Sequence, residues 1–262
     1  MKLFLNYLLI ITTIIFFSCS KDDGNTPPDD MSEPDGETDF IDSFDGSGAL
    51  VDYTTNNASA LPNVQQVDGR YRAELTENSE NQTLHFNEEQ GRLDAKLVSF
   101  PFEFIARNIG IGTLGDSQIA PAHSGEPYNF AGVQVNVLDL NDPNSAHVVV
   151  GHRGATGFTI EGKNTLNGSS SVDDIGANTV PDGRADIRIV GNENQTLTVY
   201  WQTPNPDPAN QSDDWQLYNG TGNLPGQAPT FAEDVYVGLI TYAFYTAGVP
   251  FVGTCDQIEI TD

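Results

Sequence analysis

The sequence predicts an all-β fold, a sandwich of two antiparallel sheets. Short runs of alternating apolar and polar residues recur along the chain, for example Val133, Val135 and Val137 with Gln134 and Asn136 between them. Alternation with a period of two is typical of strands that bury one face, and no segment has the apolar stripe of an amphipathic helix. Turn-forming pairs separate the runs: Asp68-Gly69, Asp182-Gly183 and Asn219-Gly220.

The same alternation predicts the positions of the other strands. We expect one β-sandwich domain over residues 40–262, because the runs on both sides of the proline-rich tract 203–214 are similar in character. Besides the valine run and a run at 186–189, strands are predicted at 71–75, 83–86, 96–107, 147–150, 158–161, 196–202, 215–218, 235–242 and 257–261.

The N-terminus has the features of an export signal. Lys2 precedes an almost unbroken apolar run at 3–17, and a serine stands before Cys19. A charged start, a short apolar run and a small residue before the cleavage point are typical of a signal peptide. The run is shorter than the roughly 20 apolar residues that span a membrane. Residues 1–18 are therefore expected to be a signal peptide.

The cysteine at the end of this signal resembles the lipobox of bacterial lipoproteins, which implies lipidation of Cys19. An ordinary signal peptide with an incidental cysteine is the alternative. The following Ser20-Lys21-Asp22-Asp23 is similar to the export signal of surface lipoproteins of Bacteroidetes. Residues 19–39 are acidic and rich in Pro, Gly and Ser, so they bury too little apolar surface to fold. We expect a disordered tether on an outer-membrane lipoprotein that faces the extracellular medium, although a tail that binds a basic partner is a second interpretation.

The charge balance and the cysteines exclude several classes of protein. The chain carries 11 Lys and Arg against 37 Asp and Glu, a formal net charge of −26. Nucleic acids and anionic membrane surfaces are bound through clustered Lys and Arg, so we expect neither, and membrane contact only through the N-terminal lipid. Cys255 is the only cysteine besides Cys19. It lies beside the alternating Ile258 and Ile260, which predicts a buried structural thiol.

Several segments follow one another in a characteristic order: the opening 42–46 (Asp-Ser-Phe-Asp-Gly), the turn 67–72 (Val-Asp-Gly-Arg-Tyr-Arg), the runs 185–189 and 196–201 leading to Trp215, and the closing runs 235–239 and 256–260. Together they resemble the concanavalin A-like lectin/glucanase superfamily. The resemblance implies a jelly roll of two curved sheets. It implies a fold and assigns no activity.

In that superfamily a concave sheet commonly receives saccharides, so outward-facing side chains are the candidate ligand contacts. Glu103 and Arg107 alternate with apolar neighbours, as do Gln134 and Asn136, and both strands are expected in the floor of this sheet. Aromatic rings suit the C–H faces of sugars, although packing in the core is the common role of aromatic residues. The candidates are Glu103, Arg107, Gln134, Asn136, His152, Arg153, Tyr242 and Tyr245.

Two histidines on one predicted strand compete for a place in this set. His147 and His152 are five residues apart, so without a bulge they face opposite sides and at most one of them enters the groove. His152 is the one placed in the candidate set, next to Arg153 in a glycine-flanked turn.

The resemblance also implies a structural calcium ion, held near Gly69 and Asp256. Calcium takes hard oxygen ligands, including backbone carbonyls. An ordinary solvated Asp256 is the alternative. No other cofactor is expected.

Known catalytic patterns are missing from the sequence, so we expect no catalytic residues. Glycosidases of this superfamily carry two carboxylates on one strand face in the pattern Glu-x-Asp-x-x-Glu, which is absent. The segment 72–75 (Arg-Ala-Glu-Leu) is similar to a strand of alginate lyases, but their later Gln-Ile-His and Tyr-x-Lys-x-Gly segments have no counterpart.

These features favour a surface lipoprotein that binds a polysaccharide or oligosaccharide. Its partners would then include outer-membrane glycan-uptake proteins of a polysaccharide-utilisation system. A neutral glycan suits the acidic chain better than an anionic one. Two alternatives stay open: a carbohydrate-active enzyme, lyase or hydrolase, with an unfamiliar site, and a structural or adhesion module.

Overall fold

A computed structural model describes residues 40–76, 89–122, 128–205, 207, 214–219, 231–244 and 250–262. The signal peptide, Cys19, the tether, the strand expected at 83–86 and Tyr245 lie outside these residues. The predictions made for them stay predictions. No helix within the described ranges is long and apolar enough to cross a membrane.

Strands make up nearly all the regular structure of the described residues, with a single short 3-10 turn at Gly154–Thr156. The strands are β1 (Phe40–Asp42), β2 (Thr54–Asn56), β3 (Asn63–Gln66), β4 (Tyr71–Leu75), β5 (Glu89–Ser99), β6 (Phe102–Gly112), β7 (Tyr128–Asn136), β8 (Ser145–Arg153), β9 (Gly157–Leu166), β10 (Ser169–Asp174), β11 (Arg184–Gly191), β12 (Leu197–Gln202), β13 (Gln216–Leu217), β14 (Asp234–Phe244), β15 (Phe251–Cys255) and β16 (Gln257–Thr261).

These strands form two antiparallel sheets. Within the described residues, the first sheet has nine strands, in the order β13-β12-β11-β6-β15-β4-β3, with β16 beside β6 and β1 beside β16. The second has seven strands, in the order β10-β9-β8-β7-β14-β5-β2. The all-β sandwich predicted from the sequence is confirmed.

The two sheets share one apolar core. Val133 and Val135 of β7 lie in it with Ile187 and Ile189 of β11, and each exposes 1% of its surface or less. Trp201 also lies in this core. Its position two residues after Val199 predicts this, because residues two apart on a strand share a face. Full burial of such side chains contributes about 1.5–3 kcal/mol each. Because side chains alternate along a strand, the residues between these core positions face outward on each sheet.

The predicted strands at 71–75 and 257–261 match β4 and β16 to the residue. The single strand predicted at 96–107 is wrong. The chain leaves the seven-stranded sheet at Ser99 and enters the nine-stranded sheet at Phe102, with Pro101 between them. Proline has no N–H to donate to a central ladder, so the alternation on its two sides belongs to two strands.

A buried ion pair joins the two sheets from within. Asp94 of β5 is fully buried and binds Arg92 on its own strand at 3.0 Å. The same carboxylate accepts a hydrogen bond from the Tyr71 hydroxyl of β4 at 3.0 Å and one from Thr55 at 2.7 Å. Arg92 also donates to the carbonyl of Leu61 at 3.0 Å. Every charge here has a partner, which is the condition for burying it.

Removal of this carboxylate tests how strongly the sandwich depends on it. Asp94→Ala leaves Arg92, whose side chain is only 13% exposed, without its counter-ion, so we expect a loss of about 3–5 kcal/mol in the free energy of unfolding, measured by guanidinium denaturation. The matched control is Glu103→Ala, which breaks the half-exposed pair with Arg188 and is expected to cost about 1 kcal/mol or less. Equal losses in the two variants would contradict this account.

Candidate functional site

Polar and charged side chains cover the outer face of the seven-stranded sheet, which is turned away from the shared core. Gln134 is the ladder partner of His147, and His147 is the ladder partner of Lys163. Ladder partners share a face, and these three alternate with core residues on their strands, so all three point outward. We call this surface the polar face, and it comprises Gln134, Asn136, His147, Arg153, Glu161, Lys163, Asp174 and Tyr242.

The carboxylate of Glu161 lies at the centre of the polar face. Arg153 Nε lies 2.7 Å from Glu161 Oε2, and the Tyr242 hydroxyl donates to Oε1 at 3.0 Å. Arg153 also binds the carboxylate of Asp174, the ladder partner of Glu161 on β10. Glu161 exposes only 5% of its surface. One buried carboxylate therefore connects residues of β8, β9 and β14, and Arg153 extends the connection to β10.

His147 and Tyr242 stack beside this carboxylate. Their ring centroids are 5.3 Å apart with an interplanar angle of 29°. His147 Nε2 lies 3.4 Å from the Tyr242 hydroxyl and 3.9 Å from Glu161 Oε1. The ammonium of Lys163 lies 5.3 Å from the centroid of the Tyr242 ring, within the range of a cation–π contact. The phenol and the carboxyl are thus in direct hydrogen-bond contact, and the imidazole lies within 4 Å of both.

Gln134 and Asn136 supply amides at the other end of the polar face. Gln134 Nε2 donates to Asn136 Oδ1 at 3.0 Å, and Asn136 Nδ2 donates to the carbonyl of Val137 at 3.1 Å. Asn136 therefore helps to fix the loop that follows β7. Leu140 of this loop packs over the sheet, and its carbonyl accepts a hydrogen bond from Asn56 at 2.7 Å.

An apolar cluster adjoins the polar groups on the same outer face. Its buried members, Tyr242 apart, are Leu93, Ala95, Phe130, Val149 and Ile240, and Tyr128, Tyr236 and Leu140 pack against them. Phe130 lies 5.1 Å from Tyr242, measured between ring centroids. Aromatic rings and charged groups therefore lie side by side, which is the mixed lining found in small-molecule sites.

The surroundings of Glu161 shift its protonation equilibrium. Burial raises the pKa of Glu161 above its ordinary value of 4.5, while the charges of Arg153 and Lys163 and the hydrogen bond from Tyr242 lower it. Burial is the largest effect, so the net direction is upward. This carboxyl holds a proton at a higher pH than a solvated glutamate does.

Half of the sequence candidates lie together on the polar face: Gln134, Asn136, Arg153 and Tyr242. The alternation in β7 and β14 correctly predicts the side to which Gln134 and Tyr242 point. Their contact with a ligand stays a prediction.

Glu103 and Arg107 lie elsewhere, on the outer face of the nine-stranded sheet. Glu103 pairs with Arg188, and Arg107 Nε lies 3.2 Å from Glu259 Oε1. Their strand, β6, belongs to a different sheet from β7, so the expectation that both strands form one floor is wrong. Alternation determines the side of a strand to which a residue points, but it does not determine the sheet.

The choice between the two histidines is also corrected. The ladder between β7 and β8 runs without a bulge, so His147 and His152 face opposite sides as expected. His152 shares the core side with Val150, and its ring lies edge-on to Phe158 at 5.3 Å between centroids. His147 is the one on the polar face.

Glu161 and Lys163 were missed by the sequence analysis. The strand predicted at 158–161 ends too early, because Gly162 and Asn164 occupy core-side positions where an apolar residue is expected. The signal that could have found them is the polar alternation itself, which continues through Thr165.

The residues at the expected calcium position do not fit a calcium ion. Asp256 Oδ1 accepts hydrogen bonds from the guanidinium of Arg70 at 2.5 Å, and Oδ2 accepts one from Asn108 at 2.7 Å. Calcium needs six to eight oxygen ligands. Gly69 has a positive φ of 67° in the turn before β4, which accounts for the glycine. In the part of the chain that the structure describes, no group of three or more His, Cys, Asp or Glu could hold a metal.

Cys255 is buried, as predicted, and its sulfur lies 3.4 Å from the carbonyl oxygen of Arg107 and 3.2 Å from that of Gln257, either of which can accept its one S–H hydrogen. Burial raises the pKa of the Cys255 thiol well above its ordinary range, so the reactive thiolate is disfavoured.

No protein-family model matches the sequence, and no curated protein matches it either. Solved structures do resemble it. The xylan β-1,4-xylosidase from Bacillus halodurans has a TM-score of 0.56 at 14% identity over 85% of this chain, which spans only 39% of that enzyme. Lectin I from Ulex europaeus, solved with the methyl glycoside of α-L-fucose, has a TM-score of 0.51 at 12% identity, covering 85% of this chain and 96% of the lectin.

The acidic lectin of winged bean, solved with methyl-α-D-galactose, gives a similar result. Its TM-score is 0.51 at 14% identity, with 85% of this chain and 96% of the lectin covered. Identities this low show a common fold. That fold is the concanavalin A-like jelly roll, as the sequence resemblance implies.

Glu161→Gln keeps the shape of the side chain and removes its titration. The raised pKa means that the folded protein binds more protons than the unfolded chain between the two pKa values, so wild type loses stability as pH rises through this window. We therefore expect the free energy of unfolding of the variant, minus that of wild type, to increase from pH 4.5 upward and then to level off. Guanidinium denaturation over a pH series measures this difference. A difference that does not change with pH would contradict the raised pKa.

Proposed function

We propose that this protein binds a carbohydrate on the polar face. The observation that carries the proposal is the cluster of buried charged groups on a side of the sheet where solvated residues are usual. Glu161, Lys163 and His147 expose 5% of their surface or less, although they point away from the shared core. Desolvating such groups is costly, and functional sites are where this cost is commonly retained.

The chemistry of the polar face suits sugar hydroxyls. A hydroxyl both donates and accepts hydrogen bonds, and this face offers the donors of Gln134, Lys163 and Arg153 beside the acceptor Glu161. The half-buried ring of Tyr128 provides apolar surface for sugar C–H groups. Two structures with the same fold were solved with bound glycosides, which supports the same conclusion.

The exposed edge of the polar face indicates where a sugar enters. The side chains of Arg153 and Asp174 are 29% and 18% exposed, whereas those of Glu161 and His147 are 6% and 3% exposed. A ligand approaching from the β9–β10 side therefore meets the Arg153–Asp174 pair first. It reaches Glu161 through Arg153, which contacts both carboxylates.

Affinity electrophoresis across a panel of polysaccharides tests the proposal. We expect at least one glycan to retard the wild-type chain. Glu161→Gln and Lys163→Met, which each remove one charge from the polar face, should weaken retardation by about tenfold, the effect of losing one charged hydrogen bond. Glu103→Gln, on the other sheet, is the matched control and should bind as wild type does. Retardation by no glycan in a wide panel would refute the proposal.

The attachment of this domain is a further part of the proposal. We infer that a lipid on Cys19 anchors the chain in the outer membrane, with residues 20–39 as a spacer, so that the polar face serves a polysaccharide-utilisation system at the cell surface. The sequence features of the N-terminus support this anchor. Several acyl chains on one cysteine together hold a protein stably in a membrane. Glycan-uptake proteins of the outer membrane are then the expected partners.

Cell fractionation tests the anchor. Cys19→Ser removes the only thiol at the end of the signal, so we expect the variant to leave the membrane fraction, while Cys255→Ser stays with it as wild type does. Labelled palmitate should be incorporated into wild type and Cys255→Ser but not into Cys19→Ser. Equal membrane association of all three chains would contradict the inference.

A carbohydrate-active enzyme is a second candidate, favoured by the contact between Glu161, Tyr242 and His147. A carboxyl with a raised pKa beside a phenol and an imidazole is suited to acid–base chemistry. Assays for new reducing ends and for unsaturated products, run on each glycan that binds, decide between the two functions. Product formation that Glu161→Gln abolishes would establish the enzyme, and binding without product supports the binding protein.

A further inference from the structure

A separate cleft lies on the other sheet of the sandwich. It has a volume of about 840 Å³ and opens on the outer face of the nine-stranded sheet. Arg107, Arg184, Asp186 and Glu259 line it, and Pro204 lies on the loop that follows β12. No member of the polar face takes part, because the shared core separates the two outer faces. This cleft is larger than a single sugar ring requires.

Two buried polar atoms beside Asp186, which lines this cleft, lack hydrogen-bond partners among the described residues. They are Nη1 of Arg107, a donor, and Oε1 of Gln202, an acceptor. Both residues adjoin Asp186. Gln202 Nε2 donates to Asp186 Oδ2 at 2.9 Å, and Arg107 Nη1 lies 3.7 Å from the same oxygen. The contact with Asp186 fixes the orientation of the Gln202 amide, because exchanging its oxygen and nitrogen would bring two acceptors together.

Unpartnered buried groups are costly, and a hydroxyl is the simplest group that satisfies both of them. It accepts from Arg107 and donates to Gln202, since one oxygen carries a donor and two acceptor sites. A phosphate or a carboxylate accepts only, so it would leave Gln202 Oε1 unsatisfied. The two unpartnered atoms together therefore favour an alcohol as the ligand group.

An aromatic ring adjoins the same arginine. The guanidinium of Arg107 lies 5.3 Å from the centroid of the Trp215 ring, and Trp215 is half-buried. This cation–π contact restrains the guanidinium, which reduces the freedom it loses when a ligand binds. An indole beside planar polar groups is a common surface for a sugar ring.

The charges of the cleft favour a neutral ligand. Two of its arginines are paired, Arg70 with Asp256 and Arg107 with Glu259. Arg184 binds the neutral oxygens of Thr254 and Asn108, and burial with the nearby charge of Arg70 lowers its pKa to about 10. Three arginines face four carboxylates, since Asp182 also lines the cleft. A polyanion would meet as much repulsion as attraction here.

We propose that this cleft is a second binding site, specific for a neutral sugar residue, on the opposite side of the sandwich from the polar face. It goes beyond the proposed function, because it does not depend on any residue of the polar face. Two sites on opposite faces allow one chain to bridge two glycan segments, and linked binding of this kind raises the retention of a polymer without new contacts.

Isothermal titration of the mature chain with neutral hexasaccharides (cellohexaose, xylohexaose and mannohexaose) tests the cleft. We expect two binding events per chain with at least one of these probes. Arg107→Gln and Trp215→Ala should each weaken one event by tenfold or more, and Glu161→Gln should weaken the other. The matched control is Arg188→Gln, because Arg188 also lies over a ring, Tyr200, and pairs with a carboxylate outside the cleft.

The outcomes separate the two sites. A single event that Glu161→Gln abolishes and the cleft variants leave unchanged would overturn the cleft site and support the polar face. A single event that Trp215→Ala abolishes and Glu161→Gln leaves unchanged would support the cleft and overturn the polar face. If no neutral hexasaccharide binds, the cleft site is overturned, whereas retardation by another glycan that Glu161→Gln weakens would still support the polar face. Thermal melts confirm that each variant is folded.

Discussion

The ion pair between Glu161 and Arg153 is the contact on which the polar face depends. Arg153 binds both Glu161 and Asp174, and Glu161 accepts a hydrogen bond from the hydroxyl of Tyr242, so four strands of the sheet are connected through two side chains. Without Arg153, two carboxylates would face each other with little water to screen them. The pair thus permits an acidic group to be buried in a chain that already carries a net charge of −26.

The seven-stranded sheet buries polar groups on both of its faces. On its inner side Asp94 is satisfied by Arg92, Tyr71 and Thr55, and this network joins the two sheets. The outer cluster around Glu161 lies wholly within one sheet. A network that spans two layers contributes to the fold, whereas one that lies on an outer face is better placed to meet a ligand. This contrast is the physical reason for assigning function to Glu161 and structure to Asp94.

Much of the fold could be predicted from the sequence, because alternation depends only on the local chain. The sides to which Gln134, Tyr242 and Trp201 point follow directly from it. The sheet to which a strand belongs depends on distant pairing, so the sequence placed Arg107 beside Gln134, although β6 and β7 lie in different sheets. The sequence pattern does not single out Glu161, because Gly162 and Asn164 interrupt the apolar side of β9.

A crystal structure of the chain with a bound oligosaccharide tests the central claim most directly. The account predicts a sugar ring on the outer face of the seven-stranded sheet, with hydroxyls within 3.2 Å of Arg153 or Glu161, about the limit of a hydrogen bond. A saccharide bound only elsewhere, with the contacts of Glu161 to Arg153 and Tyr242 unchanged, would contradict it.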